Sequence, residues 1–87
     1  MAIFYLIERS NNDPHRPGNR VFATFPLGAT LWLRDGPGFP WVDDVLDARK
    51  FRSREEAETH RAREWADDPV LAVTEHGWIG TASSSAR

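Results

Sequence analysis

Eighty-seven residues, 40 % hydrophobic and 28 % charged, describe one small globular domain; a chain of this length buries only about 60 to 65 % of the surface its unfolded form exposes. A net charge of −2 with a pI near 5.9 gives no global pull toward nucleic acid or anionic membrane. The absence of cysteine excludes disulfides, thiolate chemistry and cysteine-based zinc or iron centres, so packing alone must hold the fold.

Residues 3–7 (IFYLI) are β-branched and aromatic and apolar on both faces, the pattern of a central strand. The run is too short for a membrane span and lacks the basic flank of a signal peptide, so a cytoplasmic protein is expected. Residues 10–19 (SNNDPHRPGN) carry two prolines and a glycine and read as a mobile loop. Residues 20–25 (RVFATF) read as a second strand ended by Pro26, with a turn at Leu27-Gly28. Residues 30–34 (TLWLR) read as a third, with Leu31 and Leu33 on one face and Trp32 on the other. Asp35-Gly36-Pro37-Gly38 is a turn signal, after which residues 39–42 resume extended structure, Pro40 arguing for a sheet edge.

Residues 43–48 fit either one helical turn or an irregular link. The best-marked element follows: Ser53 stands at an N-cap position with Glu56 three residues later, a capping box that starts a helix at Arg54. Glu55, Glu56 and Glu58 suit its positive end and Arg61 and Arg63 its negative end. Ala57, Ala62, Trp65 and Ala66 make an inward stripe of small side chains with one large anchor, and Asp67-Asp68-Pro69 stops the helix. Residues 70–74 (VLAVT) read as the last full strand, Glu75-His76-Gly77 as a turn, and Trp78-Ile79 as a short edge ladder. The expected fold is α+β: an antiparallel sheet of four to five strands with one main helix on one face, forming a single domain over 1–80, followed by a frayed tail at 81–87.

Motifs for nucleotide or cofactor binding are missing: there is no GxGxxG and no GxxxxGK[ST]. His15, His60 and His76 lie far apart, without metal-ligand spacing. Asp43, Asp44 and Asp47 beside Trp41 offer paired carboxylates near an aromatic ring, as a glycosidase would, but capping a helical turn asks for the same residues and is the weightier reading. The serines have no orienting base in view. An enzyme is not expected.

Two surfaces remain. Arg49, Lys50, Arg52 and Arg54 form a basic run around Phe51, which would suit a nucleic-acid contact, although Glu55, Glu56 and Glu58 follow at once and neutralise much of its field. Four tryptophans are many for so short a chain. Trp65 reads as core; Trp32, Trp41 and Trp78, with the rim residues Arg34, Asp43 and Asp44, read as a contact surface on a sheet face that one helix leaves uncovered. A protein partner and a second copy of the chain fit such a face equally well.

The succession of an apolar strand (IFYLIER), a hairpin ending in PWVDD, a capped helix (DARKFRSREEAE) and a strand (VLAV), over most of 2–74, resembles the small α+β proteins that phages and other mobile elements encode, among them anti-CRISPR proteins. What this resemblance implies is a non-catalytic inhibitor in the host bacterial cytoplasm, which blocks DNA binding or nuclease recruitment by a CRISPR-Cas effector complex sterically. The chain departs from the strongly acidic DNA-mimic type, and no functional residue transfers from the resemblance. The alternative is a small nucleic-acid-binding accessory protein that uses the basic run.

Overall fold

The computed structural model describes residues 2–68 and 70–78. Their elements are β1 (Ala2–Ser10), β2 (Thr30–Leu33), β3 (Trp41–Val42), a 3-10 turn (Val45–Asp47), α1 (Arg54–Trp65) and β4 (Ala72–Trp78). The strands form one antiparallel sheet in the order β3-β2-β1-β4, and α1 packs on one side of it, the α+β arrangement expected. The apolar N-terminal strand is central: β1 pairs with β4 along seven residues, from Ala2 against Trp78 to Glu8 against Ala72, and with β2 from Glu8 to Ser10. Between the far ends of β1 and β2 a short extended run is wedged. It bonds Phe51 to Tyr5 in both directions at 2.9 Å, and Arg49 N–H to the Leu33 carbonyl at 2.7 Å.

Register divides the side chains between two faces, because antiparallel partners point the same way. On the first face Tyr5, Ile7, Leu31, Leu33, Trp41, Phe51 and Val73 meet Ala57 and Trp65 of α1, forming the core. The capping box forms: Ser53 Oγ accepts from Glu56 N–H at 3.1 Å, and Glu56 reaches back to Arg52 N–H, one residue before the cap, also at 3.1 Å. Only Ala57 of the helix is buried; Ala62 and Ala66 face solvent, and His60 with Trp65 supplies the rest of the inward side. Ala62 and Ala66 lie five and nine residues beyond Ala57, off its i+3, i+4, i+7, i+8 stripe.

Residues 20–25 are not a strand. Asn11, fully buried, claims their backbone: its Nδ2 donates to the carbonyls of Phe22, Phe25 and Pro26 at 2.9, 3.0 and 3.0 Å, and its Oδ1 accepts from Phe22 N–H at 2.7 Å. Groups bound to a side chain cannot join a ladder. Phe22 and Phe25 instead lay the loop against the first face. Nor is Glu75-His76-Gly77 a turn: these residues continue β4 to Trp78. Pro69, Ile79 and the 81–87 tail lie outside the described residues.

Candidate functional site

The second face of the sheet carries Phe4, Leu6 and Glu8 from β1, Trp32 from β2, Lys50 from the wedged run, and Thr74, His76 and Trp78 from β4. Both α1 and the 11–29 loop lie on the first face. Among the described residues neither element crosses the second face, where Leu6 is fully buried and its neighbours Phe4, Glu8, Trp32, Thr74, His76 and Trp78 are half-buried.

At one end Trp78 meets Phe4 edge-on at 5.6 Å and carries the Lys50 ammonium 4.8 Å above its ring, a cation–π pair. Toward the other end Glu8 Oε1 accepts from Trp32 Nε1 at 3.1 Å and from the Thr74 hydroxyl at 2.9 Å, while Thr74 Oγ1 lies 2.9 Å from His76 Nε2. A carboxylate only accepts, so the single Thr74 proton goes to Glu8, and His76 Nε2 must carry the hydrogen it donates to Thr74. That order matters chemically. A threonine nucleophile would give its proton to the imidazole, and here the imidazole gives one to the threonine. These hydrogen bonds tie Trp32 and His76 to Glu8 of β1.

The residues expected to form a contact surface separate. Trp32 and Trp78 share the second face, level with Glu8 and Ala2, about 20 Å apart at the rise of a strand. Trp41 does not join them: it pairs with Leu33, points to the first face, is 3 % exposed and packs against Trp65 at 5.5 Å. Arg34 is spent on its own hairpin, where Nε donates to the Phe39 carbonyl at 2.7 Å, Nη1 to that of Asp35 at 3.2 Å, and Nη2 to that of Pro37. Gly38 is required there, since its φ is +99° and a Cβ would stand 2.8 Å from Arg34 Nη2. Asp44 caps the 3-10 turn through Leu46 N–H at 2.9 Å, and Asp43 is exposed beyond the edge strand β3. Sequence reasoning misses Glu8, Thr74 and His76; their signal is their shared parity on two strands, hidden because Glu75-His76-Gly77 reads as a turn.

The basic run is dispersed. Arg49 stacks on Phe51 at 4.8 Å, Lys50 turns to the second face, and Arg54 lies over Tyr5 at 5.2 Å with Nη1 donating to the Val73 carbonyl at 3.4 Å. It offers no continuous cationic track.

On the first face a cleft of roughly 630 Å³ separates the 13–21 loop from the end of α1. Arg9 at its base is buried between the rings of Phe22 and Trp41, 5.2 and 5.3 Å from the guanidinium carbon, and paired with Asp68 at 3.1 Å. This arrangement ties the end of the helix to the central strand. Among the described residues, no group of three or more His, Asp or Glu side chains is placed to hold a metal ion, and no helix is long and apolar enough to cross a membrane.

No family model matches the chain, and no curated protein or solved structure does.

Proposed function

We propose that the chain is a non-catalytic protein-binding module that docks a folded partner on its second sheet face. One observation carries this reading: the helix and the long loop both cover the first face, which leaves two half-buried tryptophans, held in place by Glu8 and Lys50, on the second. Fixed aromatic anchors about 20 Å apart, with charges of both signs between them, suit a protein surface better than a small molecule or a phosphate backbone. The resemblance to anti-CRISPR proteins supplies the partner of the proposal, a bacterial CRISPR-Cas effector complex whose DNA binding or nuclease recruitment is blocked sterically.

The test is a binding titration against purified effector complexes, comparing the wild-type chain with a Trp32→Ala/Trp78→Ala double variant. The expected result is saturable binding that suppresses target-DNA binding, weakened about 30-fold or more in the variant while its far-ultraviolet circular dichroism is unchanged. Equal binding by both chains rejects the second face as the contact. Absence of binding across the effector types rejects the partner, and affinity for DNA that falls steeply with salt favours the basic run instead.

A further inference from the structure

Independently of that reading, the outer edge of β4 has the pattern of a self-pairing strand. Tyr5 spends both its N–H and its C=O on Phe51, on the β2 side of β1, so it contributes nothing to β4. In an antiparallel ladder hydrogen-bonded and non-hydrogen-bonded pairs alternate. Tyr5 against Glu75 is thus a non-bonded pair, and Phe4–His76, Leu6–Thr74 and Glu8–Ala72 are the bonded ones. Val73, Glu75 and Gly77 consequently aim their N–H and C=O away from the sheet. Among the described residues only the Val73 carbonyl has a partner there, Arg54. The edge is lightly protected, by the Glu75 charge and the Arg54 contact alone: β4 holds no proline and no lysine, and its seven-pair register is unbroken by a bulge. The opposite edge, β3, is two residues long.

We infer that two copies of the chain associate through antiparallel β4–β4 pairing, on a two-fold axis at His76. Only outward-facing residues can form bonded pairs across such an edge, which leaves three central registers. An axis at Glu75 sets two glutamates directly against each other, which disfavours it. An axis at Thr74 needs the Val73 carbonyl that Arg54 already holds. An axis at His76 pairs Glu75 with Gly77 of the second copy, where no side chain opposes the carboxylate, and Thr74 with Trp78, and it leaves Arg54 undisturbed. The two sheets then join into one, with their second faces continuous across the seam.

Sedimentation of the full chain over a concentration series is the first test, with a dimer of twice 9.9 kDa expected. Glu75→Pro removes an outward N–H without touching the ladder to β1, so it should give a folded monomer. The register is read with His76→Cys: the chain has no other cysteine, and a facing non-bonded pair holds its Cα atoms about 4.5 Å apart, within disulfide reach. Mild oxidation should link this variant covalently, and leave Asp43→Cys unlinked. A wild-type chain that stays monomeric at all concentrations overturns the inference, as does a dimer that Glu75→Pro leaves intact. A dimer in which His76→Cys links no better than Asp43→Cys overturns the register.

Discussion

Asn11 does at one position what a strand was expected to do over six residues. Its carboxamide serves three carbonyls and one amide, while its own backbone N–H and C=O pair with Ala29 and Gly28 at 2.8 and 3.0 Å. The Asn11 side chain is fully buried and its bonds are part-buried, so truncation leaves several backbone groups short of a partner. Asn11→Ala is expected to cost at least about 3 kcal/mol, measured by urea unfolding, and Asn11→Asp to cost more, because an acceptor would then face the three carbonyls. None of this was legible beforehand. An asparagine in a loop is ordinary, and only the tertiary approach of residues 22–26 turns it into an organiser. Trp32 was legible, because alternation against Leu31 and Leu33 fixes its face from three consecutive letters.

At the scale of elements, local signals were readable and registers were not. The capping box lies within four residues and needs no tertiary information, and the helix starts where it says. Ser53→Ala should lower stability by about 1 kcal/mol in the same unfolding measurement. The hairpin between β2 and β3 shows how small a slip suffices. A four-residue turn at 35–38 sets Phe39 against Arg34 and places Trp41 beside Trp32. In the structure Arg34 N–H donates to the Pro40 carbonyl at 2.8 Å, the loop has five residues, and Trp41 falls opposite Leu33 on the other face. One residue of register moves a tryptophan from surface to core. The sequence reading of β4 stops short of Trp78 for a related reason, since a glycine inside an edge strand carries the same letters as a turn.

For the molecule as a whole, His60 couples stability to pH. Its ring lies between Phe51 and Trp65 at 5.4 and 5.8 Å, and Nδ1 must accept from the Arg63 guanidinium at 3.1 Å, so the folded state holds the neutral ring. Burial first, then the charges of Arg49 and Arg63, hold its pKa below the ordinary 6.5, with Glu64 pulling the other way. Between that lowered value and 6.5 the unfolded chain binds a proton that the folded chain refuses, so stability rises with pH there. The contribution is full above 6.5 and is lost as the pH falls through the folded value. Urea midpoints between about pH 5 and 7.5 should climb for the wild type and climb less for His60→Gln; equal slopes would refute the assignment.

The long ladder between β1 and β4 joins the opening residues of the chain to its last described ones, Ala2 to Trp78. On a ribosome, the middle of the sheet is made first and its longest neighbour last. Until residue 78 clears the exit tunnel, the apolar stretch at 3–7 has nothing beside it on that flank, so emergence of β4, rather than synthesis of the segments before it, sets when this domain closes.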